Sequence, residues 1–139
     1  MIQGNQLRIG NMVFDWAKRI ATVESINSHD VVRLSSSDYK FESFNLKQHG
    51  VSPIPLTEDW LLKFGFEKLK GRYHEDTYMN ADLNFGNPVL KLNDYTRLCT
   101  NGGYEYLFLD GFRLPCKYLH QLQNLYFALT GNELTIKEN

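Results

Sequence analysis

Cysteine is scarce in this chain: Cys99 and Cys116 are the only two. They are too few for a disulfide framework or a thiolate cluster, so the expectation is two thiols in a reducing compartment. Long apolar runs are missing as well. Nothing approaches the roughly 18 residues a membrane-spanning helix needs. The N-terminal stretch MIQGNQLRIG has neither a basic start followed by an apolar core nor a small-residue cleavage site. A cytoplasmic protein with no membrane partner is expected. Surplus charge is the third absence, with 15 basic against 16 acidic side chains and a formal net charge of -1. The signs do not separate between the halves either: residues 1–66 carry seven of each, and residues 67–139 eight basic and nine acidic. Bulk charge gives no attraction to phosphate backbones, although a local patch can act against a neutral average.

Patterns that carry chemistry are also absent. His29, His49, His74 and His120 are scattered, and there is no His-Glu-x-x-His, no calcium loop and no Gly-x-Ser-x-Gly elbow. Adjacent side chains diverge along any regular element, so His74-Glu75-Asp76 reads as a solvated loop rather than a metal site. Gly102-Gly103 is followed by neither Lys-Ser/Thr nor a helical pattern and reads as a hairpin turn, not a phosphate cradle. No catalytic, cofactor or metal residues are assigned and a non-enzyme is expected. A site assembled from distant residues such as Asp82, Asp94 and Asp110 stays open on the sequence alone.

What is present is the material of a core, with 42% hydrophobic and 14% aromatic residues. The N-terminal part offers short apolar runs broken at Gly10-Asn11, Trp16-Ala17-Lys18 and Asn27-Ser28-His29-Asp30. Met12, Phe14 and Trp16 share one alternation phase, Ala21, Val23 and Ser25 another, and Val31, Val32 and Leu34 form a third run. Phe41 and Phe44 are the expected buried residues of the next tract. Pro53 and Pro55 place residues 51–56 at an edge. This spacing matches a small SH3-like β-barrel module, and an open meander would read similarly.

Thr57 then caps a short helix over 57–64, with Glu58 and Asp59 in its first turn and Gly65 ending it. Trp60 is expected to plug the end of the barrel. Turn signals at Asn93-Asp94, Asn101-Gly102-Gly103 and Asp110-Gly111 separate VLKL, YTRLC, YEYLFL and FRLP, an antiparallel meander of three or four strands. Leu119, Leu122, Leu125, Tyr126 and Leu129 recur at spacings of three and four, which predicts an amphipathic helix over 118–130 covering that meander. The tail ELTIK alternates like one further edge strand. The fold class expected is therefore α+β. Residues 1–66 form a barrel-like module with its closing helix, and residues 67–139 a helix-covered meander, in two modules or one continuous body.

The blocks LRIGNMVFD, IPLTEDWLLKFGF and KYLHQLQNLYFALTGNELTIK resemble those of a family of small, functionally uncharacterised proteins encoded by phages and prophages of Bacteroidetes-type bacteria. The resemblance implies an accessory protein acting inside the bacterial host, where such proteins often bind host factors, antiviral defence components among them. It carries over no functional residue.

Two sets of residues stand out as binding candidates. Tyr73, Tyr78 and Tyr104 fall near expected loops or turns, and tyrosine offers a large amphipathic contact at low entropic cost. In the alternative, each is a core residue at a domain edge. Lys68, Lys70 and Arg72 gather beyond the short helix with Tyr73 beside them, a pattern that suits nucleic acid. More commonly it is a solvated face that complements the helix dipole. A bacterial host protein is the expected partner. Nucleic acid, and assembly with other phage components, are the alternatives.

Overall fold

The computed structural model describes residues 2–48, 50–69, 76–79, 97–100, 104–109 and 112–137, and from 67 to 115 its backbone alone. The fold is mixed α+β. The chain divides into two compact units, Met1–Pro55 with Tyr118–Asn124, and Leu56–Lys117 with Leu125–Asn139.

In the first unit, β1 (Met12–Phe14), β2 (Ile20–Ile26), β3 (Val31–Ser35) and β4 (Glu42–Asn45) make an open antiparallel meander in sequence order. Registers such as Val13 opposite Ala21, and Val23 opposite Leu34, put Val13, Ala21, Val23, Val32, Leu34 and Phe44 on one buried face. Ile2, Leu7, Leu46 and Val51 complete that core.

Met12, Phe14 and Trp16 share the outer phase of β1, with Met12 and Phe14 half-buried and Trp16 exposed, while Asn11, Val13 and Asp15 face inward. Two expectations are corrected here. Phe41 is exposed too, with the Arg33 guanidinium 4.8 Å from its ring centre. Ser25 lies opposite Arg33 rather than continuing the phase of Ala21 and Val23, because a β-bulge between Val23 and Ser25 inserts Glu24.

Beyond β1, the Phe14 amide donates to the Ser52 carbonyl at 2.9 Å and the Ser52 amide donates back at 3.0 Å, so residue 52 pairs along the outer edge of β1. Two buried polar residues of this unit, Asn11 and Gln123, are bonded to distant stretches of the chain. Gln123 accepts from the Met12 amide at 2.9 Å and donates to the Gly10 carbonyl at 3.3 Å. The Asn11 amide group donates to Asn124 Oδ1 at 2.8 Å, while Asn11 Oδ1 accepts from the Arg8 amide at 2.7 Å. Asn11 and Gln123 are essentially inaccessible to water, a position that polar side chains hold only when such bonds satisfy them. The segment before β1 is thereby tied to residues more than a hundred positions away.

Gln123 and Asn124 belong to α2 (Leu119–Thr130), the expected amphipathic helix. Its buried positions include Leu119, Leu122 and Tyr126, on the three-four spacing read from the sequence. Its first half belongs to the N-terminal unit, with the Leu119 amide donating to the Ile54 carbonyl at 2.8 Å.

In the second unit, α1 (Glu58–Lys63) is capped by Thr57, whose hydroxyl oxygen accepts from the Trp60 amide. It ends in a Schellman arrangement: the Phe66 amide reaches the Leu61 carbonyl at 3.0 Å and the Gly65 amide the Leu62 carbonyl at 3.1 Å. Trp60 is half-buried and stacks on Phe64 at 5.9 Å. Gly65 holds φ +86 at the turn, and a Cβ there would sit 3.0 Å from Lys137 Cγ. Gly65→Ala should therefore lower stability by about 1–2 kcal/mol. Gly131, at φ +75 after α2, has nothing within 4 Å of a Cβ. Gly131→Ala should accordingly cost less, and equal losses in urea melts would refute the steric part of the argument.

The meander has five strands: β5 (Glu67–Leu69), β6 (Asp76–Met79), β7 (Arg97–Thr100), β8 (Tyr104–Leu109) and β9 (Phe112–Pro115), antiparallel and in sequence order. The stretches YEYLFL and FRLP are β8 and β9, with Leu109 opposite Phe112. The expected strand VLKL and the turn residues Asn93, Asp94, Asn101–Gly103, Asp110 and Gly111 lie outside the described residues. The tail makes no strand over residues 131–137, where the Lys137 amide donates to the Lys63 carbonyl at 2.7 Å.

Candidate partner-binding face

The connection from β1 to β2 is a three-residue loop, Trp16-Ala17-Lys18. The Lys18 amide closes a turn onto the Asp15 carbonyl at 3.0 Å, and the Asp15 amide bonds the Arg19 carbonyl at 2.9 Å. Lys18 then takes φ +59, completing the turn-plus-left-handed-residue pattern of three-residue hairpins. This loop is organised from beneath by one carboxylate. Asp15 is inaccessible to water. Its Oδ1 accepts from the amides of Ala17 and Arg19, each at 2.9 Å, and its Oδ2 from Arg19 Nε at 2.8 Å and the Tyr39 hydroxyl at 3.0 Å. Burial alone would raise its pKa. The backbone amides, the Tyr39 hydroxyl and the Arg19 guanidinium outweigh that and leave it below the ordinary value of 3.8. Burial, and then the neighbouring Asp15 charge, push the Tyr39 phenol up to about 12, so it stays a hydrogen-bond donor.

Arg19 is thereby fixed between two rings, its guanidinium carbon 5.5 Å from the Trp16 centroid and 5.1 Å from that of Tyr39. A second carboxylate, Asp38, lies 3.7 Å from Arg19 Nη1. The outcome is an indole that is 61% exposed yet held in place. Cation–aromatic contacts at exposed sites of this kind contribute about 0.5–1 kcal/mol each. The outward face of the sheet continues from the loop with Phe14, Ile20, Arg33 and Phe41, of which Ile20 is 48% and Phe41 50% exposed. An exposed aromatic on a rigid support is an arrangement suited to contact, since little side-chain entropy is left to lose. The Asp15 carboxylate at its base has its acceptor sites filled and is held ionised, which suits it to positioning rather than proton transfer.

Other places in the described chain offer less. A cleft of about 450 Å³ is lined by Ile2, Gln3, Asn5, Asp30, Leu46 and Lys47, but its one carboxylate is engaged by the Gly4 amide at 3.1 Å and by Lys47 at 3.8 Å. Cys116 is buried, which drives its thiol up to about 12, far from a nucleophile's range. Burial lowers the pKa of His120, whose ring stacks on Tyr118 at 6.0 Å. Among the described residues no three His, Cys, Asp or Glu side chains converge as a metal site, and no helix is long and apolar enough to cross a membrane.

Of the residues singled out from sequence, Lys68 on β5 lies directly opposite Tyr78 on β6, and Tyr104 opens β8 opposite Thr100. Tyr73, Lys70 and Arg72 lie outside the described residues, as do His74, Glu75, Asp82 and Asp94. The face around Trp16 was missed. Its signal was in the sequence all the same: a tryptophan inside a polar turn, flanked at one and three residues by an aspartate and an arginine. No family model matches the chain, and neither the curated proteins nor the solved structures contain a match to it.

Proposed function

We propose that this chain is a phage-encoded accessory protein that acts without catalysis, by binding a bacterial host protein in the host cytoplasm, with antiviral defence components the foremost class. The observation that supports a binding role is Trp16, which is 61% exposed while Arg19, Tyr39 and buried Asp15 hold it from below. Most of the indole is left in water, where it adds little to the core, and a preorganised aromatic is the usual anchor of a protein interface. We read the N-terminal sheet as an SH3-like barrel module. Support comes from the order residue 52, β1, β2, β3, β4, in which the segment after the meander returns to the edge of its first strand.

The test is affinity capture from host lysate, with a nuclease-treated parallel sample so that bridging nucleic acid is not scored as protein contact. Trp16→Ala should weaken the captured complex by at least about thirtyfold, the cost of a central aromatic anchor, while lowering the melting temperature by only about 2–5 °C, the share of the lost Arg19 contact. Binding that survives this change would refute the role given to Trp16. Turnover of a nucleotide or nucleic acid by the purified protein, with no partner recovered, would overturn the non-catalytic reading itself.

A further inference from the structure

The charges on the outward face are unequally matched. Asp15 and Asp38 are both taken by Arg19, and Glu24, lifted out by the bulge, accepts the Ser35 hydroxyl. Glu42 lies opposite Leu34, on the other alternation phase. The cations Lys18 and Arg33 have no carboxylate partner among the described residues: Lys18 lies 6.0 Å from the Phe14 ring centre and donates to the Ser52 hydroxyl at 3.0 Å, and Arg33 lies 4.8 Å from the Phe41 ring centre. Half-exposed Phe41 and half-buried Phe14 thus each have beside them a positive charge that no carboxylate among the described residues offsets, in a chain whose formal net charge is -1.

Lys18 is the more telling of the two. It occupies φ +59, a left-handed conformation that glycine enters freely and a lysine enters at a cost. The loop carries an ammonium where the backbone favours no side chain. A non-glycine residue held in such a conformation is a recurring mark of a functional segment.

We infer that the segment docking on this face is an acidic protein segment, with Asp or Glu side chains reaching Lys18 and Arg33 and an apolar or aromatic residue seated on Trp16, Ile20 and Phe41. The inference rests on the binding role proposed above and adds the chemistry of the partner. Carboxylates are the complement of these cations, because the ring covers one face of the Arg33 guanidinium and the Ser52 hydroxyl takes one donor of the Lys18 ammonium, which leaves the other donors of each to meet a carboxylate.

A display library of random twelve-residue peptides selects against the wild-type protein, Trp16→Ala and Arg33→Glu in parallel. The expected result is enrichment of peptides combining two or more acidic residues with an aromatic or large aliphatic one. Synthetic copies should bind at least tenfold less well to Arg33→Glu, and less well as salt rises from about 0.05 to 0.3 M. Both variants change exposed side chains and should stay folded, melting within about 5 °C of wild type. Enrichment that depends on Trp16 but shows no acidic bias, or a basic one, overturns the charge assignment while leaving the binding face intact. Enrichment indifferent to Trp16→Ala, or none at all, overturns both. Tighter, Trp16-dependent binding of a twelve-nucleotide oligothymidine than of any selected peptide assigns the face to single-stranded nucleic acid instead and equally overturns the inference.

Discussion

Leu122→Ala should destabilise the protein by about 2–5 kcal/mol, the range for removing a large aliphatic side chain from a packed core. Leu122 has no accessible surface, so its loss forfeits both transfer energy and the contacts of the cavity left behind. The residue one position on, Gln123, is anchored to Met12 and Gly10. This fixes the helix backbone and limits how far neighbours can relax into the space, which argues for the upper half of the range. Phe127, 39% exposed on the same helix, is the internal control: Phe127→Ala should cost no more than about 1 kcal/mol. Urea melts of the three proteins decide the matter. If Leu122→Ala melts like wild type but loses a partner, then α2 serves a foreign surface and its apolar stripe is not core.

That helix was also the most legible element. Its apolar spacing, and Gly131 after its last turn, placed it within a residue of where it lies. The same holds for α1, where Thr57 and Gly65 mark both ends, and for β8 and β9, where a two-residue turn signal sets the register. What the pattern could not show is that the first half of the helix is held by side-chain bonds from Gln123 and Asn124 to residues 6–12. Contacts across more than a hundred residues leave no local trace.

The phase of β1 was illegible for a related reason. Alternation offered three large apolar residues, Met12, Phe14 and Trp16, against Asn11, Val13 and Asp15, and hydrophobicity alone favours burying the first set. The second set is buried because each polar member is satisfied, Asn11 by residues 8 and 124 and Asp15 by its own turn and Tyr39. A satisfied polar group costs little to bury, and satisfaction is a property of the fold. The same inversion turned the aromatic phase outward, so alternation alone could not locate the candidate face.

Asp15→Asn should then be the most informative single change in that face. Isosteric with the carboxylate, an asparagine keeps one carbonyl oxygen for the amides of Ala17 and Arg19 but presents an NH₂ group where Arg19 Nε now donates at 2.8 Å. Arginine has no acceptor to offer it. Losing a charge-assisted bond at a buried site costs about 2–3 kcal/mol. Arg19, freed from beneath, no longer holds the Trp16 ring, so partner binding should fall as well. The pH dependence carries a definite sign. The folded-state pKa of Asp15 lies below its ordinary value of 3.8, so the carboxylate contributes stability that is present above that value. As pH falls through the lower folded-state pKa, the contribution is lost. Asparagine does not titrate and has no such contribution to lose. The stability gap between wild type and variant should therefore be widest at roughly pH 6 and narrow steadily toward roughly pH 2.5. Urea melts of both proteins across that interval make the comparison, and a gap that stays constant with pH would show that Asp15 is not the ionised clamp its hydrogen bonds describe.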